Sequence, residues 1–488
     1  MDTTKEQERA ELHRAIWQIA DDLRGSVDGW DFKQYVLGML FYRYISENLT
    51  DYINQGEREG GAADFDYAAL DDAEAEGARA DLVTEKGYFI APSELFASVL
   101  ARADGDENLN ETLARVFRHI EESAQGTASE ADLRGLFDDI DVNSNKLGAT
   151  VKERNAKLVK LMQGIGGMKL GSFRDNTIDA FGDAYEYLMG MYASHAGKSG
   201  GEYYTPQEVS ELLTRLTLIG KQSVNKVYDP ACGSGSLLLK FAKVLGKDKV
   251  RSGFFGQEIN LTTYNLCRIN MFLHDIDFDK FDIAQGDTLT HPKHWDDEPF
   301  EAIVSNPPYS IKWAGKNDPL LINDPRFAPA GVLYRGGAEK KIRQYLVDNN
   351  FVDAIIQLPD NLFFGTSIAT CIMVLKRSKT DTTTVFLDAS QEYVKVTNSN
   401  KLTDEHIARI LARYTERQDI PHRVRIVPAD EIAKEDYNLS VSTYVEPEDT
   451  REIIDIEKLN AQIKEIVARE AVLRDEIDKI VAEIEVDA

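Results

Sequence analysis

Apolar residues recur at helical spacing through the first third of the chain. The earliest of them lie three or four residues apart, at Leu12, Ile16, Ile19 and Leu23. This spacing predicts a helix over residues 5–24, and a similar pattern predicts a second helix over about 31–48. The pattern stays mainly helical up to about residue 165, with an acidic loop expected near 56–84. We therefore predict a helical N-terminal domain over residues 1–165.

From residue 166 to residue 390, short runs of apolar and β-branched residues alternate with helical stretches. The strand-like runs lie at 224–228, 253–258, 281–285, 301–305, 352–358, 370–375 and 384–387. Alternation of this kind predicts an α/β domain built on a doubly wound sheet.

The end of the chain has a different pattern. Its apolar residues recur mostly at threes and fours, at Leu459, Ile463, Ile466, Leu473, Ile477, Ile480 and Ile484. After a C-terminal extension over 391–452, we predict a coiled-coil tail over 453–488 that binds a partner subunit. A helix that packs on its own domain is the alternative.

Composition limits the class of protein. The chain has 488 residues, of which 43% are hydrophobic and 28% charged, as in soluble globular proteins of several domains. We find no apolar run near 18 residues and no signal peptide, so we expect neither a membrane protein nor a secreted one. The three cysteines, Cys232, Cys267 and Cys371, lack metal-ligand spacing and fit a reducing cytoplasm. Acidic stretches near 104 and 139 do not match a calcium-binding loop, so we predict no metal.

A glycine-rich turn, Asp229-Pro-Ala-Cys-Gly-Ser-Gly235, follows the strand-like run at 224–228. Glycines there let the backbone approach a ligand at the carboxyl end of a strand. A nicotinamide site would want a third glycine where Leu238 stands, which argues against a dinucleotide. The next two runs end near Glu258 and Asp287, which suit the ribose hydroxyls and the adenine amine of a cofactor. We predict cofactor contacts from Asp229, Gly233, Ser234, Gly235, Ser236, Glu258 and Asp287.

The tetrapeptide Asn306-Pro307-Pro308-Tyr309 follows the run at 301–305. An exocyclic amine of a base is a poor nucleophile because its lone pair is delocalised into the ring. The Asn306 side-chain oxygen and the Pro307 carbonyl could draw that lone pair out of conjugation and stabilise the developing charge. Pro308 would stiffen the loop, and Tyr309 would stack on a base flipped out of the duplex. Together with the glycine-rich turn, the motif is typical of S-adenosylmethionine-dependent methyltransferases that act on an amino group.

The segment just before the first strand adds a candidate flap. It contains Glu202, Tyr203, Tyr204, Thr205, Pro206 and Gln207. Taken alone, this segment is better explained as a flexible loop before a helix that starts at Thr-Pro. Its position makes it a plausible cover for the methionine half of the cofactor, with Tyr203 or Tyr204 packing on it.

With these motifs in hand, the chain resembles the modification (methyltransferase) subunit of type I restriction-modification systems. The resemblance also covers segments starting at Trp17, Gly29, Phe41, Phe181, Gly200, Asp436 and Arg451. It implies N6-adenine methylation of double-stranded DNA and two copies of this subunit joined to one specificity subunit. Optional restriction subunits complete the family's complexes. It also implies cofactor binding by 202–207, 234–236 and Glu258, target-base binding by 306–309, and a tail that meets the specificity subunit.

The formal net charge of −27 fits such a division of labour. A protein that grips DNA alone should carry a basic surface. This chain is strongly acidic, so a partner is expected to supply sequence recognition and much of the phosphate binding. Solubility alone could also explain the acidity.

One departure from the family concerns residues 311–351. We find one helix there, at about 338–348, and no strand, whereas a methyltransferase sheet needs a further helix and strand after the target-base loop. We expect that about 30 residues, the size of one helix–strand unit, are missing between Leu333 and Tyr334.

Taken together, these motifs predict a site-specific DNA adenine-N6 methyltransferase subunit. Two alternatives remain open. Asn-Pro-Pro-Tyr also suits the amide of a protein glutamine, as in glutamine N5-methyltransferases. The chain could also be a catalytically silent assembly scaffold.

Overall fold

The computed structural model describes most of the chain. The described residues are 3–22, 29–168, 170, 181–182, 184, 187–188, 205–297, 299–307, 338–363, 367–396, 399–448 and 456–486. Within these residues, no helix combines the length and apolar character needed to cross a bilayer.

Helices make up the N-terminal region, as predicted. They are α1 (Thr3–Asp22), α2 (Gly29–Glu59), α3 (Asp72–Ala75), α4 (Arg79–Lys86), α5 (Phe96–Arg102), α6 (Leu109–Ser123), α7 (Glu130–Leu133) and α8 (Val151–Gly167). Helix α8 begins with a capping box, in which Thr150 Oγ1 accepts from the Glu153 N–H and the Glu153 carboxylate accepts from the Thr150 N–H.

The expectation of one acidic loop over 56–84 is wrong in its detail. Helix α2 continues to Glu59, and the stretch then forms α3 and α4. Asp71 caps α3 by accepting from the Ala73 N–H at 2.8 Å. Leu82 and Val83 are buried and hold α4 against the core. Acidic residues thus cap and cover short helices here, a use that composition does not distinguish from a loop.

The first sheet follows the helical region. Helix α9 (Gln207–Leu218) leads into strand β1 (Val227–Asp229), and α10 (Ser236–Leu245) connects β1 to β2 (Phe254–Glu258). Helix α11 (Leu261–Leu273) connects β2 to β3 (Phe281–Gln285), and β4 (Ala302–Ile303) completes the sheet. All pairings are parallel, in the order β3-β2-β1-β4.

A second sheet has the order β10-β7-β5-β6. Its strands are β5 (Val352–Gln357), β6 (Cys371–Leu375), β7 (Thr383–Asp388) and β10 (Val424–Pro428), and α12 (Ala338–Asp348) precedes β5. Strands β5 and β7 are parallel, whereas β6 and β10 run antiparallel to their neighbours. Because β10 lies beyond residue 390, part of the predicted C-terminal extension is built into this sheet.

The rest of the extension surrounds the second sheet. It consists of the hairpin β8 (Val394–Val396) and β9 (Ser399–Lys401), then α13 (Asp404–Glu416), α14 (Ala429–Lys434) and α15 (Val441–Tyr444). Helix α9 packs on α10 and also places Val209, Leu212 and Leu216 in the core of the second sheet. The two sheets therefore share α9 as a common cover.

Helix α11 joins the N-terminal helices to the first sheet. Arg268 is buried, and its guanidinium donates to the carbonyls of Ala131, Asp132 and Arg134 at 2.8–3.2 Å. The Asp139 carboxylate accepts from Asn265 and Thr262, which lie about one and two helical turns before Arg268. One apolar core runs from Leu12 in α1 to Val304 after β4, so the helical region and the first sheet pack as one unit.

The chain ends in α16 (Ile456–Val486), the helix predicted for the tail. Its residues from 456 to 481 are all exposed, including the apolar positions at spacings of three and four. Among the described parts of the chain, nothing covers that apolar face.

Candidate active site at the carboxyl edge of the first sheet

The order of the first sheet places a topological switch point between β1 and β4. The chain passes from β1 to β2 and β3 on one side, then returns to β4 on the other side of β1. Open α/β sheets bind ligands in the crevice outside the carboxyl ends of the strands at such a point. The glycine-rich turn follows β1 and Asn306 follows β4, so the two predicted motifs flank this crevice.

Asp229 ends β1 and is fully buried. Its Oδ1 accepts from the Ala231 N–H at 3.0 Å, whereas Oδ2 has no hydrogen-bond donor among the described residues. Burial raises the pKa of Asp229 to about 7, against the lowering effect of the Ala231 N–H and the Ser305 hydroxyl. The negative charge of Glu258 raises that pKa further. Asp229 is thus a buried acceptor poised for a ligand that brings a donor or a positive charge.

Glu258 ends β2 and organises the glycine-rich turn. Its Oε2 accepts from the Gly233 N–H at 3.1 Å, and its Oε1 accepts from the Asn260 N–H at 2.9 Å. Asn260 in turn caps α11 by accepting from the Thr263 N–H at 3.0 Å. The half-buried carboxylate keeps further acceptor capacity at the crevice, because each oxygen can accept more than one hydrogen bond.

The turn itself depends on its glycines. Gly233 and Gly235 have φ values of +55° and +80°, which favour glycine. A Cβ atom at Gly235 would also lie 2.8 Å from Cys267 Sγ, so this turn sits close against α11. Ser234 is buried, and its backbone carbonyl accepts a hydrogen bond from Asn270 Nδ2 at 2.8 Å. Ser236 is the first residue of α10.

Asp287 lies in the turn after β3, beside the glycine-rich turn. The preceding Gly286 donates its N–H to the Glu258 carbonyl at 2.9 Å, and the following Thr288 donates to the Pro230 carbonyl at 2.6 Å. Asp287 Oδ1 accepts from the Leu289 N–H. The structure therefore brings Asp229, Glu258 and Asp287 to one edge, as the sequence predicts for consecutive strand ends.

Asn306 on the target side contacts the segment before α9. Its Nδ2 donates to Thr205 Oγ1 at 3.0 Å, and Thr205 is buried. With Nδ2 engaged in this way, Oδ1 is the amide atom suited to accept from a target amine. Pro206 is buried at the start of α9, and Pro307 is exposed.

Gln207 is the first residue of α9. Both polar atoms of its side-chain amide are buried and without a partner among the described residues. Buried amides are normally hydrogen-bonded, so this group is suited to a ligand at the same edge. The predicted site residues Glu202, Tyr203, Tyr204, Pro308 and Tyr309 lie outside the described residues.

Sequence reasoning missed two supports of the site. The Asn270 side chain donates a hydrogen bond to the Ser234 carbonyl, and the Thr288 hydroxyl donates one to the Pro230 carbonyl. Asn270 stands within the otherwise apolar run 269–273 of α11, and a buried amide on such a helix face is a signal for a specific hydrogen bond. Thr288 carries no comparable signal.

Comparison with known proteins decides the family. Residues 176–330 and 328–453 match the N-6 DNA Methylase family, and residues 12–165 match the HsdM N-terminal domain family. The chain is 44% identical to the type I restriction enzyme MpnII methylase subunit of Mycoplasma pneumoniae, over 100% of this chain and 98% of that protein. The chain belongs to the methyltransferase subunits of type I restriction-modification systems.

Solved structures agree with this assignment. The methyltransferase subunit of a type I system from Streptococcus thermophilus has 33% identity and a TM-score of 0.80, covering 90% of this chain and all of that one. A chain from a structural study of type I restriction-modification complex assembly has 20% identity and a TM-score of 0.62, covering 98% and 99% of the two chains. The second likeness concerns the fold alone.

This type I methyltransferase subunit is an adenine-N6 DNA methyltransferase. Family membership displaces the protein-glutamine alternative, which rested on the Asn-Pro-Pro-Tyr motif. It also confirms the helical N-terminal region followed by an α/β methyltransferase sheet.

Proposed function

We propose that the crevice at the switch point binds S-adenosylmethionine. Asp229, Gly233 to Ser236, Glu258 and Asp287 would hold it, with the 202–207 segment covering its methionine half. The observation that carries this proposal is Asp229 Oδ2, which is buried without a hydrogen-bond partner among the described residues and lies beside the positive-φ turn at Gly233. The Gln207 amide is a second buried group that lacks a partner in the described parts of the chain. When bound, the cofactor supplies a methyl group on a positively charged sulfur.

Asn306 and Pro307 would polarise the target amine. The Asn306 Oδ1 and the Pro307 carbonyl accept from the two amine hydrogens of adenine, so the nitrogen lone pair becomes available for attack. The bound cofactor would supply its methyl group to this nitrogen and leave as S-adenosylhomocysteine, and the extra proton on nitrogen would leave to solvent. Pro308 would stiffen the loop, and Tyr309 would stack on the flipped adenine.

Titration calorimetry of the purified chain tests the cofactor proposal. We expect saturable binding of S-adenosylmethionine and of S-adenosylhomocysteine, and no binding of NAD. An Asp229→Ala variant should lose most of the affinity, whereas Asp275→Ala, at an exposed turn, should keep it. Equal affinity in the two variants would place the cofactor elsewhere.

The proposed partners are a specificity subunit, a second copy of this chain and a restriction subunit, all acting on double-stranded DNA. Two observations support a partner that completes the enzyme. With a net charge of −27, the chain is unsuited to binding the DNA phosphates without a partner. The apolar side of α16 is exposed, with Ile466 65% and Ile477 57% accessible. A cytoplasmic location fits the DNA substrate and the free cysteines.

Single substitutions on α16 can test the specificity-subunit contact. Ile466→Asp and Ile477→Asp each place a carboxylate on the apolar side, whereas Ala468→Asp adds the same charge away from the seam. Co-purification with the specificity subunit should be lost with the two isoleucine variants and kept with Ala468→Asp. Retention with all three would exclude this side of α16 as the interface.

The missing segment after Leu333 remains a proposal, and two observations support it. The match to the Mycoplasma pneumoniae subunit extends over 537 positions, 49 more than the 488 residues of this chain. The N-6 DNA Methylase family also matches in two parts that meet at 328–330. The natural protein should therefore be heavier than the 54.8 kDa of this sequence, and an intact mass of 54.8 kDa would refute the proposal.

A further inference from the structure

A second polar cluster lies beside the first sheet. Asp282 comes from β3, and His294 and Asp297 come from the loop that follows it. One side-chain donor atom from each residue lies within 4.8 Å of the other two. The His294 ring is buried, whereas the two carboxylates reach towards solvent. None of these residues belongs to the proposed cofactor or target sites.

The protonation of His294 follows from its partners. Its Nε2 lies 2.9 Å from the Gly256 carbonyl oxygen, which can only accept, so Nε2 carries a hydrogen. In the neutral ring, Nδ1 then carries a lone pair. That atom lies 3.1 Å from Asp297 Oδ2 and 3.9 Å from Asp282 Oδ2. A lone pair facing two carboxylate oxygens is repulsive, and a proton or a cation among these three atoms would relieve that repulsion.

A proton on Nδ1 would satisfy only part of the cluster. It could bond Asp297 Oδ2, but 3.9 Å is too long for a hydrogen bond to Asp282. No hydrogen bond to the Asp282 carboxylate is found among the described residues. Two ligands each about 2.1 Å from one tetrahedral ion lie about 3.4 Å apart, and the distances of 3.1 and 3.9 Å lie on either side of that value.

The surroundings of the cluster also suit an ion. Metal-binding histidines usually donate their second ring N–H to a carbonyl or carboxylate, as His294 does to Gly256. The nearby Lys226 ammonium lies 3.8 Å from Asp297 Oδ1 and donates to the Asp297 backbone carbonyl at 2.7 Å. It therefore faces the other oxygen of Asp297 and leaves Oδ2 for the cluster.

We propose that Asp282, His294 and Asp297 bind a divalent first-row transition-metal cation such as Zn²⁺. One imidazole and two carboxylates suit such ions better than Mg²⁺, which prefers oxygen ligands alone. The ion would connect the loop that carries His294 and Asp297 to strand β3, and the His294 hydrogen bond connects the same loop to β2. Gln257 already ties this loop to β2, through the His291 carbonyl and the Lys293 N–H. No short sequence motif marks this site, because eleven residues separate Asp282 from His294.

Zinc titration of the untagged, chelator-treated full chain tests the proposal. We expect saturable Zn²⁺ binding, a higher Tm with Zn²⁺ than with Mg²⁺, and a visible spectrum of bound Co²⁺. Asp282→Asn removes one exposed ligand and should weaken Zn²⁺ binding at least about tenfold without unfolding the chain. Asp296→Asn is the matched control, since it removes an equal charge from a neighbouring exposed residue outside the cluster.

His294→Gln is a second variant, in which the amide can still donate to the Gly256 carbonyl. It should also lose Zn²⁺ binding. The proposal is overturned if the wild-type chain binds no Zn²⁺, or if Asp282→Asn and Asp296→Asn bind it equally. His294 would then be an imidazolium paired with Asp297. Neither result bears on cofactor binding, which is measured separately.

Discussion

The two sides of the carboxyl edge are built differently. On the cofactor side, backbone N–H groups hold the carboxylates of Asp229 and Glu258, and strand-to-helix turns fix their positions. On the target side, the half-buried Asn306 donates to the side chain of Thr205, which belongs to the segment before α9. Cofactor binding and amine activation thus depend on different side chains, although Thr205 joins Asn306 to the 202–207 segment that we propose covers the cofactor. Substitutions should therefore be able to remove one and leave the other.

Asn306→Ala should have the largest effect. Loss of the acceptor amide should lower methyl transfer by about 10²–10³-fold, the usual effect of removing one preorganised polar group at a reacting centre. The Kd for S-adenosylmethionine should stay within about twofold. Single-turnover methyl transfer and calorimetry measure the two quantities, with Asn349→Ala at an exposed site as the control. An equal loss of cofactor affinity would show that the two sides are not separable.

Asp229→Asn should act on the opposite side. A hydrogen bond to a charged group contributes about 1.5–3 kcal/mol, so cofactor affinity should fall by about 10–100-fold. At saturating cofactor, methyl transfer should recover to near the wild-type rate. If saturating cofactor does not restore the rate, Asp229 also contributes to activation of the target amine.

The pH dependence of cofactor binding should follow Asp229. Its pKa of about 7 in the free protein means that the carboxyl is largely protonated below that pH. A ligand that brings a donor or a positive charge prefers the ionised form, so affinity should rise by up to about tenfold per pH unit towards pH 7 and then level off. Calorimetry between pH 5.5 and 8.5 measures this trend. It should be absent in Asp229→Asn.

The same raised pKa predicts a trend in stability with the opposite sign. The pKa of this carboxyl is 3.8 when unperturbed and about 7 in the fold, so the folded state binds more protons between these values. The contribution of Asp229 to the free energy of unfolding should therefore decrease as pH rises from about 4 to 7. Denaturant unfolding of wild type and Asp229→Asn at pH 5 and pH 8 isolates this contribution.

Thr205→Val should have the smallest effect. It removes the acceptor that orients Asn306, and a neutral hydrogen bond contributes about 0.5–1.5 kcal/mol, so methyl transfer should fall by about two- to tenfold. Thr205→Ser keeps the hydroxyl and should keep the rate. If the serine variant is as slow as the valine variant, the Thr205 methyl group rather than its hydroxyl supports the site.

Much of the fold could be predicted from the sequence, because strand-like runs alternate with helices at regular spacing. The predicted helix at 338–348 matches α12, and the third strand-like run matches β3. The hairpin at 394–401 and strand β10 were missed, since their runs are short and their burial depends on partners far along the chain. The proximity of Asp229, Glu258 and Asp287 could be predicted, because each lies at or just after the carboxyl end of a strand in the same parallel sheet. Contacts such as Asn306 with Thr205 join residues 101 positions apart, and no local pattern shows them.

Helix α16 illustrates the same limit. Its apolar spacing predicts a helix with one buried side, as it does for α2, whose residues from 35 to 46 are nearly all buried. The apolar side of α16 is exposed instead. Periodicity identifies a face to be covered, but what covers it depends on the rest of the assembly.

The most direct measurement is transfer of labelled methyl groups from S-adenosylmethionine to unmethylated and hemimethylated DNA. The purified chain should be compared with the chain co-expressed with its specificity subunit, and the labelled base should be identified after digestion. We predict N6-methyladenine only with the partner present, and none with Asn306→Ala. Label in a base other than adenine, or none in the complete complex, would contradict the assignment of the crevice as an adenine methyltransferase site.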